Sequence, residues 1–216
     1  MSDPTTRWWW LRHAPVINHG NVIYGNSEIA CDLSDAAALG ALAERLPDDA
    51  VWVTSQLGRA RETAAALAAA RDWTAPERRV EPDLAEQDFG DWQGRTLAEI
   101  ERQGEPVQHN FWWAPAHHAP PGGESFAAVV ERVAGVIERL TREHAGRDIV
   151  AVAHGGSIRA ALVTALGLDP AAALAFHIHT LSLTRIDHIA DSEHGGNWRI
   201  VAVNLPANLP ADLPAR

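Results

Sequence analysis

Short apolar runs alternate with amphipathic or Ala-rich stretches along this chain. Trp8–Leu11 is apolar throughout and runs into Arg12-His13. A run of that length bounded by charge predicts a strand buried on both faces. Ala50–Ser55 and Asp148–Ala153 share this β-branched, apolar character, and the second ends at His154-Gly155-Gly156. Arg79–Leu84 reads as a further strand, and Leu181–Ile186 and Trp198–Val203 as the last two. Between them, Leu33–Leu46 reads as a helix with Ser34 as its N-cap and Pro47-Asp48-Asp49 as its stop. Leu57–Arg71 is rich in the strong helix formers Ala, Glu and Arg. Thr96–Gln103 predicts a short helix and Ser157–Leu166 another. In Glu124–His144, Val129, Val133, Val136, Ile137 and Leu140 fall on one helical face. Strands alternating with helices imply an α/β fold, a three-layer αβα arrangement around a mostly parallel central sheet.

Three stretches lack a period. Ala14–Asp32 is polar and rich in Gly and Asn, and Glu86–Gly94 is a glycine-bearing loop. Glu105–Gly123 is rich in Pro, His and Trp; an irregular segment that long in a compact domain predicts a lid. The reading is one α/β domain over residues 1–203, then an extended Pro-rich tail over 204–216, because Pro repeats cannot sustain a ladder.

At 46% hydrophobic and 21% charged residues, the composition is that of a soluble globular protein. The formal net charge of −10 argues against nucleic acid as a partner, which requires a basic footprint. It does not exclude a small anion, because salt screens distant charges over about 8 Å and a local cluster decides. The single cysteine, Cys31, cannot form an internal disulfide and points to the reducing cytoplasm. The Trp8–Leu11 run is too short for a signal-peptide core, and no stretch approaches the ~20 apolar residues of a membrane span. The tight histidine pairs His117-His118 and His177-x-His179 lack a His-Glu-x-x-His or cysteine ligand set, so neither a metal nor another cofactor is expected.

In open α/β sheets, ligands bind beyond the carboxyl ends of the strands. Three predicted strands end in chemically loaded residues: Arg12-His13, Thr54-Ser55 leading to Arg59, and His154-Gly155-Gly156. If the strands are parallel, two guanidinium groups and two imidazoles converge on one edge, a positive pocket suited to a dianionic phosphoryl group.

These motifs, with Leu84–Gly94 and Gly123-Glu124-Ser125, resemble in order those of the histidine phosphatase superfamily, which includes phosphoglycerate mutases and α-ribazole phosphatases. The resemblance runs from about Trp8 to Val203 and implies a phosphoglycerate mutase-like fold and a phosphomonoesterase acting on a small phosphorylated metabolite. It implies that His13 attacks phosphorus, near-neutral imidazole being a fair nucleophile. Arg12 and Arg59 would hold non-bridging oxygens in their planar fork, with His154 opposite them. Glu86 would be the general acid and base, and Asn18 matches a phosphate-contacting asparagine. Trp112 and Trp113 lie in the lid and would either stack on an aromatic leaving group or close a small lid core. The chain departs from the family at Ala14-Pro15, where many members carry Gly-Glu, so a reshaped entrance loop is expected. Asp88-Phe89-Gly90-Asp91-Trp92 replaces the basic Arg-His-Tyr-Gly of mutase-type members, which favours hydrolysis over phosphoryl transfer to a second sugar acid. A phospho-ligand binding module and a metallohydrolase are the readings from other classes. Oligomeric state, a homodimer included, stays open.

Overall fold

The computed structural model describes residues 4–17, 20–71, 73, 78–106, 113–191 and 196–208. Six strands form one sheet in the order β3-β2-β4-β1-β5-β6, comprising β1 (Thr5–Arg12), β2 (Ala50–Thr54), β3 (Arg78–Val80), β4 (Asp148–Ala153), β5 (Ser182–Ile189) and β6 (Asn197–Pro206). β1, β2, β3 and β4 pair in parallel, and only β5 runs against its neighbours. The helices are α1 (Ala36–Ala43), α2 (Gly58–Ala69), α3 (Leu97–Arg102), α4 (Phe126–Glu143), α5 (Gly155–Leu166) and the short α6 (Pro170–Ala173).

Alternation along the strands divides the core between the two faces of the sheet. Trp8, Trp10, Ile149, Ala151 and Ala153 face α4 and α5, where Val129, Val133, Val136, Ile137 and Leu140 form the buried stripe of α4. Leu11, Trp52, Val150 and Val152 face α1 and α2, against Leu39, Leu42, Ala64 and Leu67. Trp8 and Trp10 stack with centroids 5.0 Å apart, and Trp8 Nε1 donates to Thr141 Oγ1 across to α4. Near the far end of the sheet, buried Asp187 accepts from Arg185 and Arg199, and Arg185 lies over the Trp9 ring.

Several boundaries move for local reasons. Asp35, not Ser34, caps α1, its carboxylate accepting from Ala38 N. That helix stops at Ala43, short of Leu46, which is held away from helical geometry by Pro47. The expected strand Arg79–Leu84 ends at Val80, because Pro82 starts a 3₁₀ turn over Pro82–Leu84. The proposed tail boundary shifts as well. β6 carries on through Asn204, Leu205 and Pro206, pairing Pro206 with Ser182, which an edge strand tolerates because the missing N–H faces no partner. Residues 209–216 of that tail lie outside the described residues.

Candidate active site

Parallel pairing of β2, β4 and β1 sets their carboxyl ends side by side, and the loaded residues meet there. The β1–β4 ladder extends one residue past Arg12, where His13 N donates to Ala153 O at 3.0 Å. This fixes His13 beside His154, with ring centroids 5.1 Å apart. Both rings are fully buried. His13 Nδ1 lies 2.7 Å from Ala14 O. A carbonyl only accepts, so the ring proton is assigned to Nδ1 and Nε2 keeps its lone pair. His154 Nε2 sits 2.7 Å from Ser55 Oγ, and that oxygen accepts from Leu57 N at 3.3 Å. With the serine proton assigned to this contact, Nε2 accepts it and the His154 proton sits on Nδ1.

Burial pushes both imidazoles well below their ordinary pKa; Arg12 and Arg59 add to this at His13, and His13 itself with both arginines at His154. Neutral rings follow, one offering a nucleophilic nitrogen and the other an N–H.

Both guanidinium groups are anchored by their outer nitrogens. Arg12 Nη1 donates to Ile178 O at 2.6 Å. Arg59, on the first turn of α2, donates from Nη1 to Ser27 O and from Nη2 to Gly25 O, at 2.8 and 2.7 Å. What remains is a set of four buried nitrogens with no hydrogen-bond partner among the described residues: His13 Nε2, His154 Nδ1, Arg12 Nε and Arg59 Nε. Orphaned buried polar atoms are costly; the three N–H groups of this set suit the oxygens of an oxyanion, and the Nε2 lone pair suits its electrophilic central atom.

Glu86 reaches the same region from the loop after β3. Its Oε1 accepts from Gln87 N at 3.1 Å and from Gly156 N, in the first turn of α5, at 3.0 Å. The loop is gripped from behind. Arg132 of α4 donates to the carbonyls of Asp83, Ala85 and Glu86 and forks onto both oxygens of Glu124. Ser157 Oγ donates to Leu84 O.

Sequence reasoning missed Arg132 and Ser55 as supporting residues. Arg132 reads as an exposed helix position, and its eight-residue spacing from Glu124 is the only signal. Arg159, on the first turns of α5, is another buried guanidinium, donating from Nε to Phe176 O and lowered to a pKa of about 10 by burial, against the opposing pull of Glu86.

Ala14 needs no glycine-like freedom: among the described residues, the non-glycine positions at positive φ are Asn21, Leu181 and Asn204. Its backbone N donates to Thr63 Oγ1. Asn18 and Trp112 lie outside the described residues. Trp113 is 40% exposed and joins no buried cluster. Among the described residues, the small core at this place is built from Ile23, Phe89, Trp92, Ile100 and Ala114. Among the described residues, no group of three or more His, Cys, Asp or Glu side chains is disposed to hold a metal ion.

The profile of the histidine phosphatase superfamily (branch 1) matches residues 11–206. A bifunctional protein of Mycobacterium tuberculosis is 36% identical over 155 residues, which cover 72% of this chain and 41% of that protein; the chain thus spans less than half the length of that relative. The glucosyl-3-phosphoglycerate phosphatase of Mycolicibacterium vanbaalenii is 34% identical over 176 residues, covering 73% of this chain and 76% of that protein. A mycobacterial glucosyl-3-phosphoglycerate phosphatase solved in complex with VO3 superposes with a TM-score of 0.76 at 31% identity, covering 92% of this chain and 98% of the other. Profile, relatives and fold agree: the chain belongs to the histidine phosphatase superfamily.

Proposed function

We propose that the protein hydrolyses the phosphomonoester of a small phosphorylated metabolite through a phosphohistidine on His13. The four orphaned nitrogens carry this reading. In the first step the His13 Nε2 lone pair forms a bond to phosphorus while the bond to the ester oxygen breaks. A proton from Glu86 goes to that oxygen, releasing a neutral alcohol. In the second, the Glu86 carboxylate takes a proton from water, whose oxygen attacks phosphorus. The P–N bond breaks, giving inorganic phosphate and neutral His13. Arg12, Arg59 and the Nδ1–H of His154 hold the non-bridging oxygens, so stabilisation falls where charge gathers in the transition state. The VO3 bound by a structural relative is an oxyanion of the kind this pocket suits.

No helix among the described residues is long and apolar enough to cross a membrane; a cytoplasmic setting is part of the proposal and rests on the lone Cys31.

The test is labelling. Brief reaction with a ³²P-labelled phosphomonoester followed by quenching gives an alkali-stable, acid-labile protein label, and His13→Ala gives neither label nor turnover. Full turnover by His13→Ala, or a label on another residue, overturns the mechanism.

A further inference from the structure

We infer that the cleft beside Glu86 receives the leaving alcohol and selects one that is uncharged and rich in hydroxyls. The inference rests on the proposed function and names its substrate class. A cleft of about 330 Å³ opens where Asn26, Gln56, Glu86, Asp88, Glu124 and Arg132 meet. That volume is at the low end of the ~300–1,000 Å³ usual for small-molecule sites, so it suits a short polyol. Glu86 is part of the cleft wall, whereas Arg12, His13, Arg59 and His154 are not; with the phosphoryl group held among those four, an alcohol leaving past Glu86 enters the cleft.

Among the described residues the wall has one cation, and that cation is spent. Arg132 Nε and Nη2 donate to the two carboxylate oxygens of Glu124, at 3.0 and 2.7 Å. Its Nη1 donates to Asp83 O and Ala85 O, at 2.6 and 3.0 Å, and Nη2 also to Glu86 O at 3.3 Å. All five N–H groups of the guanidinium are committed. A second anionic group on the substrate would therefore meet the Asp88 carboxylate with no cation of the described wall left to pair with it.

A cationic alcohol finds one unpaired charge among the described wall residues, Asp88, whose Oδ1 already accepts from Gly90 N; Glu124 is paired with Arg132, Glu86 carries a proton in the step that expels the alcohol, and an ammonium in place of hydroxyls offers no acceptor to the wall amides. The amides of Asn26 and Gln56 both donate and accept, which is what hydroxyl groups require. Apart from these, the lining among the described residues comes from Pro82, Ala85, Gly122 and Gly123 and has no aromatic ring.

The experiment measures kcat/KM for glycerol 1-phosphate, 3-phosphoglycerate, phosphoethanolamine and p-nitrophenyl phosphate. The first two share a carbon skeleton and differ by a hydroxymethyl against a carboxylate. The glycerol ester is expected to lead both the glycerate and the ethanolamine esters by at least about tenfold, the discrimination a site built for hydroxyls gives. Asp88→Asn, which keeps the Oδ1 acceptor for Gly90 N, narrows the gap to 3-phosphoglycerate, and Gln56→Ala lowers the glycerol ester more than the aryl ester. Turnover of p-nitrophenyl phosphate with 3-phosphoglycerate or phosphoethanolamine equal to or ahead of glycerol 1-phosphate overturns the inference and leaves the proposed function standing. No turnover of any ester, with no label on His13, overturns the proposed function, and the inference falls with it.

Discussion

The His13 and His154 rings stand 5.1 Å apart with their planes inclined by 54°, and each has one nitrogen tied to a protein oxygen and the other left without a partner. The two ties are opposite in kind. Ala14 O takes a proton from His13, whereas Ser55 Oγ gives one to His154. One ring is thereby set as an electron-pair donor and the other as a hydrogen-bond donor.

Ser55→Ala removes the group that sets the His154 tautomer. The expected loss in kcat is about tenfold, because the ring keeps its place in the strand-end turn but is free to exchange its proton between nitrogens. ¹⁵N NMR of the His154 ring should show Nδ1–H in the parent and a tautomer mixture in the variant. An unchanged kcat would remove Ser55 from the account.

Arg132 is expected to act through Glu86. Arg132→Lys keeps the charge but cannot make the fork or the three carbonyl contacts, so the acid's loop loosens. For an alkyl ester kcat falls by about tenfold, and less for p-nitrophenyl phosphate, whose leaving group needs little acid. The decisive readout is a double-mutant cycle. In the Glu86→Gln background the Arg132→Lys effect should vanish; equal losses in both backgrounds would mean Arg132 has only a general structural role.

The depressed histidines link stability to pH. The unfolded chain takes up protons on these rings near the ordinary value of 6.5, while the folded chain keeps them neutral. The unfolded state thus binds more protons below that value. The stability present above it is lost as pH falls toward the lowered folded values. Thermal midpoints should drop between pH 7.5 and 5.5, and His13→Ala should drop less than the parent. Identical drops would show that His13 is not held neutral.

Asp187 provides a contrast remote from the pocket. It is fully buried between Arg185 and Arg199. Asp187→Ala leaves the Arg185 charge without its buried partner, at a cost of about 3–5 kcal/mol. Urea unfolding should report that loss, while kcat of the folded variant stays at the parent value. A loss of activity equal to the loss of stability would tie this network to the site.

Much of this was legible in the sequence because strand ends carry both fold and chemistry. Asp148–Ala153 is apolar between a charge and a glycine pair, and the strand has those bounds. Arg12, His13, Arg59, His154 and Glu86 stand out through the ordered set of motifs that resembles the family, not through any one of them alone, and the parallel sheet sets the strand ends that carry them side by side. Supporting contacts were not legible. Arg132 reaches carbonyls 46 to 49 residues away, and backbone carbonyls leave no trace in sequence. Pro82 was visible, yet its effect was underweighted: it fixes φ and turns the chain out of the ladder. The strand through Pro206 was obscured by a Leu-Pro repeat that reads as tail but sits on an edge.

The strand order has a consequence for how the enzyme comes into being. β4 lies between β1 and β2, yet it is synthesised almost a hundred residues after β2. Until it arrives, the tryptophan-bearing flank of β1 has no mate on that side, and the pocket lacks His154 altogether. Such long-range closure slows folding and leaves sticky edges open meanwhile. A nascent polypeptide halted before residue 154 therefore holds His13 without the ring that stands 5.1 Å from it in the folded chain.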